Sequence, residues 1–185
     1  MIVQLTGLPG TGKTTLAAGL RQHFGERCLL LDKDRVRAAL YGPSGQVTYH
    51  RDQDDFVVSL LHRAARERLV HDSDAVVVLE RTGTRAYQVA DVTQLATSLR
   101  QPLAVIYCWC PDPVARDRLD ADHRQGNHPA GNRTFALYLQ LRQSADPITA
   151  PALRLRTDTA EAEVLAAALG YLDQLNTTRS EAAAR

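Results

Sequence analysis

Long apolar runs are missing from this sequence of 185 residues. None approaches the ~18 residues that a membrane-spanning helix requires. The start shows no basic segment followed by an apolar stretch and a cleavage site. The expectation is a cytoplasmic protein without a membrane partner. Cysteine is scarce, with only Cys28, Cys108 and Cys110 and no CxxC. That pattern excludes a disulfide scaffold and a four-ligand zinc site, and fits reduced thiols packed in strands. Excess charge is also missing, since 22 basic and 21 acidic residues leave +1. No whole-molecule field draws the chain to nucleic acid, although a local basic groove stays open. Lysine is nearly absent. All but two of the basic residues are Arg, so Lys13 and Lys33 stand out.

What is present suits one domain. Hydrophobic residues at 44% and charged residues at 23% exclude collagen-like and fully disordered chains. A chain of this size buries roughly 70% of its unfolded surface. Strands are read at Ile2 to Thr6, Cys28 to Asp32, Ala75 to Leu79, Leu103 to Trp109 and Leu153 to Arg156. Helical spacing covers Lys13 to Phe24, Asp34 to Leu40, Asp52 to His71, Tyr87 to Leu99, Pro111 to Leu119, Phe135 to Ser144 and Glu161 to Leu172. In the third of these the inward set is Phe56, Val57, Leu60, Leu61, Ala64, Ala65 and Leu69. Tyr41 to Tyr49, with Gly42, Pro43 and Gly45, is a loop. The domain spans residues 1–175, and 176–185 form a tail.

Strands alternate with helices, and several strands are apolar throughout. This predicts an α/β three-layer sandwich with a five-stranded parallel sheet covered on both faces. Ligands of such sheets bind at the carboxyl ends of the strands. The residues just after each strand therefore carry the information.

Gly7-Leu8-Pro9-Gly10-Thr11-Gly12-Lys13-Thr14 fits G-x-x-x-x-G-K-[ST] between a strand and a helix, with Thr15 following. Glycines let backbone N–H groups turn onto an anion, and the helix start adds positive dipole character. Lys13 would reach the β- and γ-phosphates and Thr14 would ligate Mg²⁺. The motif says nucleotide without saying which reaction. GTPases read guanine with Asn-Lys-x-Asp, and neither lysine sits in one. After the second strand comes Asp32-Lys33-Asp34-Arg35-Val36-Arg37. Phosphoryl transfer needs a group that orients the attacking hydroxyl and accepts its proton. Asp34 is the candidate, Asp32 the alternative, and either can instead cap the helix. Arg37 lies one turn after Asp34, where it can hold an acceptor or stand as an exposed charge.

Strand, GLPGTGKTT, helix, strand and D-x-D-x-x-R together resemble small P-loop kinases, across about residues 1 to 172. The nearest group is the polynucleotide-kinase-like and zeta-toxin-like kinases, with chloramphenicol phosphotransferase a further relative. The resemblance implies a P-loop NTPase fold of the nucleoside-kinase-like kind. It implies ATP and Mg²⁺ as cofactors, Asp34 as general base and Arg37 on the acceptor. The third strand end departs from that pattern: Glu80-Arg81-Thr82-Gly83-Thr84-Arg85 stands where the family often has Asp followed by Thr or Asn. Glu80 is the second metal candidate, and Thr82 and Arg85 are acceptor candidates.

A lid about residues 120–132 is expected to close over ATP. Arg116, Arg118, Arg124 and Arg133 flank it. The catalytic assignment is split between Arg118 and Arg124, with Arg116 third. His123 and His128 are read as loop histidines without metal. The sequence thus points to transfer of the ATP γ-phosphoryl to a hydroxyl of a small molecule or, less favoured, a nucleic-acid 5′ end. A P-loop ATPase or nucleotide-binding module without acceptor is the alternative.

Overall fold

The computed structural model describes residues 1–125, 130 and 132–183. Five strands form one all-parallel sheet: β1 (Ile2–Thr6), β2 (Cys28–Asp32), β3 (Val76–Glu80), β4 (Leu103–Trp109) and β5 (Leu153–Arg156). Their order is β2-β3-β1-β4-β5. The expected three-layer α/β architecture is present.

All five residues of β1 and of β3 are buried. Alternate side chains leave opposite faces of a strand, so each apolar strand feeds two cores. Val3, Leu5, Val78 and Ile106 pack against α1 (Lys13–Phe24) and α7 (Glu161–Ala183) through Leu16, Leu20, Ala168 and Leu172. Ile2, Val77 and Leu79 pack against α3 (Arg51–His71) and α4 (Ala86–Ser98) through Leu61, Leu69, Val92 and Leu95. Each fully buried aliphatic side chain of this kind is worth about 1.5–3 kcal/mol. The interior polar residue Gln4 stays in the second core because its amide donates to Leu5 O and Leu79 O.

Several helix boundaries shift by one residue from the pattern, and the differences of consequence lie in four helices. Phe56 is 51% exposed, because the inward stripe of α3 is Val57, Leu61, Ala65 and Leu69, at four-residue steps. The helix α2 (Lys33–Tyr41) begins one residue early, which makes Asp32 its N-cap. The helix α5 (Asp112–Gln125) runs past Leu119 into the expected lid. Gly126, Asn127, His128, Pro129 and Gly131 of that lid lie outside the described residues. The helix α7 continues to Ala183, through most of the stretch read as a tail.

Register positions the site. Asp32 is level with Glu80 across β2 and β3, and Leu5 is level with Glu80 across β1 and β3. The ends of three neighbouring strands therefore deliver Gly7, Asp32 and Glu80 to one edge. No described helix is long and apolar enough to cross a membrane.

Candidate active site

The turn from β1 into α1 is held by glycines in the left-handed region, with φ of 140° at Gly7, 76° at Gly10 and 75° at Gly12. A Cβ on Gly7 would lie 2.3 Å from the Cys108 carbonyl oxygen, so only glycine fits there. Beneath the turn, Leu8 joins Cys110, Ala115, Leu119 and Tyr138 in a third apolar cluster. That cluster seats the loop on α5 and on α6 (Phe135–Gln143). Thr11 turns inward and donates to Leu8 O at 2.7 Å, bracing the loop.

Both lysines are buried here, although lysine is among the residues least often buried. Lys13 is 7% exposed, and its Nζ donates to Leu8 O at 2.8 Å. Burial pushes its pKa down, and the Glu80 carboxylate opposes that shift. Thr14 Oγ1 donates to Glu80 Oε1 at 2.6 Å. Glu80 Oε2 is enclosed with no hydrogen-bond partner. Burial raises the Glu80 pKa, against the pull of Lys13 and the Thr14 hydroxyl. A hydroxyl, a carboxylate and an orphaned carboxylate oxygen facing a phosphate loop suit Mg²⁺, which binds few protein oxygens and keeps several waters. Among the described residues no group of three or more His, Cys, Asp or Glu offers a denser cage.

Two cavities open on the loop. One, of about 620 Å³, is lined by Gly10, Gly12, Thr14, Thr15, Arg118 and Thr157. The other, of about 610 Å³, is lined by Pro9, Asp34, Arg37, Tyr49, Asp54 and the segment Glu80 to Arg85. Lys13 and Arg133 line both.

In the second cavity the two aspartates separate by role. Asp32 Oδ1 accepts from Asp34 N at 2.8 Å and Arg35 N at 3.2 Å, which caps α2. Asp32 and Asp34 both line the cavity, but Asp34 makes no capping bond, and its Oδ1 accepts from Arg37 Nη1 at 2.6 Å. Arg37 is 2% exposed. Its other terminal nitrogen pairs with Asp54, whose second oxygen takes Lys33 Nζ at 2.7 Å. Tyr49 lies against the Arg37 guanidinium, 5.3 Å from carbon to ring centre. Arg37 is therefore a cation threaded between two carboxylates and not a solvent-facing charge. Thr82 and Arg85 are on the same wall. Arg85 also pairs with Asp146 at 3.6 Å.

The arginines near the lid divide similarly. Arg118 donates to Thr157 O at 2.7 Å and Gly10 O at 3.4 Å, which places it on the phosphate loop. Arg124 is exposed and donates to Asp120 O at 3.2 Å; it lines neither cavity. Arg116 lies over the Phe135 ring at 4.3 Å. Arg133, 3.5 Å from Asp122, stands where the cavities meet. Sequence reading passed over Asp54, the buried pairing of Lys33, the junction role of Arg133 and the Thr157 clasp. The only sequence signals were the rarity of lysine and the place of Arg133 after the lid.

A family model described as AAA domain matches residues 2–147, and the chain belongs to that family. No curated protein matches it. Similar solved structures include Chaetomium thermophilum Kti12 in complex with ADP-AlF3, at 17% identity over 95% of this chain and 99% of that one, TM-score 0.69. A gluconokinase from Sinorhizobium meliloti is 15% identical over 97% and 95%, TM-score 0.68. The Mycobacterium tuberculosis APS kinase CysC in complex with AMPPNP and APS is 19% identical over 93% and 96%, TM-score 0.65. At these identities the likeness establishes the fold alone, an α/β fold with a five-stranded all-parallel sheet that this chain shares with a gluconokinase and an APS kinase.

Proposed function

We propose that this member of the AAA domain family is an ATP-dependent kinase that transfers the γ-phosphoryl group to a hydroxyl of a small molecule. The observation that carries the reading is the meeting of two cavities at Lys13 and Arg133. In-line transfer places the attacking and leaving oxygens on opposite sides of the phosphorus. A nucleotide in the first cavity presents its γ-phosphoryl at the junction, and the acceptor approaches from the second.

Asp34 accepts the hydroxyl proton as the oxygen–phosphorus bond forms and the bond to ADP breaks. Arg37, itself fixed by Asp54, holds the Asp34 carboxylate toward the cavity. Lys13, Arg118 and Arg133 present positive charge to the transferring oxygens, where fixed dipoles and charges stabilise the transition state most. Mg²⁺, held by Thr14 and Glu80, would supply neutralisation of the β- and γ-oxygens. The acceptor contacts are Arg37, Thr82 and Arg85. A cavity of about 610 Å³ is the size of a small-molecule site, which favours a small acceptor over a polynucleotide end. The resemblance of the phosphate loop and D-x-D-x-x-R to polynucleotide-kinase-like and zeta-toxin-like kinases supports the same chemistry.

The test is a screen of hydroxyl compounds with ATP labelled at the γ-phosphate, alongside Lys13→Ala. Label should move to an acceptor in the parent protein and stay on ATP in the variant. Release of inorganic phosphate at one rate with every compound would favour the hydrolase reading.

A further inference from the structure

Resting on that kinase reading, we propose that the acceptor carries an oxyanion besides its hydroxyl, and that Arg81 binds it. Arg81 follows Glu80 at the end of β3 and forms part of the wall of the second cavity. It is 6% exposed, and its Nη2 is enclosed with no hydrogen-bond partner. Among the described residues its side chain makes no hydrogen bond or ion pair; Tyr87, Asp55 and Asp91 act on it only through space.

The neighbouring cations on this wall are different. Lys33 and Arg37 share Asp54, Arg51 pairs with Asp55 at 3.3 Å, and Arg85 pairs with Asp146. Arg37, likewise buried, is met by the carboxylates of Asp34 and Asp54. At Arg81 the carboxylates of Asp55 and Asp91 act only from beyond bonding distance. A guanidinium cannot shed its proton to escape burial, and an unpaired buried charge is strongly unfavourable. The fold tolerates that penalty in the wall of a cavity, where an oxyanion that reached the guanidinium would relieve it. Guanidinium pairs with carboxylate or phosphate through two parallel hydrogen bonds, which fixes orientation as well as adding affinity. An acceptor gripped at Arg81 is anchored on the same wall as Thr82, with Asp34 lining the same cavity. Its free hydroxyl can then be turned toward the junction. The ligand chemistry is an oxyanion, either a carboxylate or a phosphate ester.

The test loads the full chain with AMPPNP and Mg²⁺, so that the phosphate loop is filled, and titrates a probe by calorimetry. One arm uses inorganic phosphate and the other glycerate. The parent protein should bind at least one probe in the millimolar range. Arg81→Gln should weaken that binding at least tenfold with AMPPNP affinity unchanged, and Arg81→Lys should restore part of it. The preferred arm names the oxyanion. Without ligands, Arg81→Met should raise the melting temperature, because it removes an unpaired charge; a structural arginine would lower it. Equal probe binding in parent and Arg81→Gln overturns the proposal. So does absence of probe binding to the AMPPNP-loaded parent, which leaves the kinase reading standing. Failure of the parent to bind AMPPNP overturns both.

Discussion

The two cavities that meet at Lys13 are built on different plans. The proposed nucleotide side is built round consecutive residues, Gly7 to Thr15, whose backbone turns on three positive-φ glycines, with Arg118, Arg133 and Thr157 added from later segments. Several of its polar contacts go to backbone carbonyls, such as Lys13 to Leu8 O and Thr11 to Leu8 O, and one, Thr14 to Glu80, reaches a distant carboxylate. The acceptor side is made of charged side chains from distant segments: Asp34 and Arg37 on α2, Asp54 on α3, and Arg81 to Arg85 after β3. Its contacts are ion pairs, one within α2 from Arg37 to Asp34 and two from α2 to Asp54 of α3. A phosphate chain is a fixed shape, so a contiguous loop suffices to cradle it. An acceptor must be chosen among many hydroxyl compounds, and that needs side chains whose positions can be exchanged one at a time.

This contrast is open to test by substitution. Lys13→Ala removes the charge common to both cavities and should lower turnover by ~10³-fold or more, with weaker ATP binding, while the fold persists by circular dichroism. Asp34→Asn should lower kcat by ~10²–10⁴-fold and leave ATP affinity intact. Asp32→Asn should cost about 1 kcal/mol or less of stability, since its role is to cap α2. The reverse ranking of these two would move the proton acceptor to Asp32 and dissolve the separation of roles.

Arg133→Ala should lower kcat by ~10²-fold through loss of charge at the junction. Arg124→Ala should change it little, because Arg124 is turned to Asp120. Equal effects would show that the lid rearranges on closure. Arg37→Ala should raise the acceptor KM by about tenfold or more with ATP KM nearly unchanged, in keeping with a side chain confined to one cavity. A matching rise in ATP KM would erase the distinction between the two sides.

The smallest effect is electrostatic. Burial pushes the Lys33 pKa down from 10.5 to about 8. Between those values the unfolded chain holds a proton that the folded chain has released, so stability rises with pH there. Below about pH 8 the charged Lys33 is a burden that its Asp54 partner only partly offsets. Parent protein should therefore gain stability relative to Lys33→Met as pH rises from about 8 toward 10. Parallel pH profiles for the two would show that Lys33 is not held as the structure places it.

The phosphate loop was legible because its chemistry is local. Glycine spacing, the preceding strand and the following helix fix the backbone within nine residues, and no distant partner is needed to interpret them. Apolar runs alternating with helical periods likewise fixed the parallel sheet, since a strand buried on both faces has no polar alternation to show. Phe56 was misread because a helical period marks a stripe without saying which edge of it meets the sheet. Arg116, Arg118, Arg124 and Arg133 looked equivalent in sequence because each is an arginine near a polar stretch. Only the path of α5 points Arg118 at Gly10 and leaves Arg124 on Asp120 of the same helix.

Sequence by itself determined the sheet, the anion-binding turn and the presence of Asp34 after the second strand. Tertiary structure decided that Asp32 caps α2 while Asp34 pairs with Arg37 at the cavity wall. It brought Asp54 onto Arg37 and Lys33, and among the described residues it left Arg81 Nη2 buried without a hydrogen-bond partner. The reason is physical: hydrogen bonds of a turn run between neighbours in the chain. The energy of a buried charge depends instead on every group within a few ångströms, and those groups arrive from α2, α3 and β3 only when the sheet has assembled.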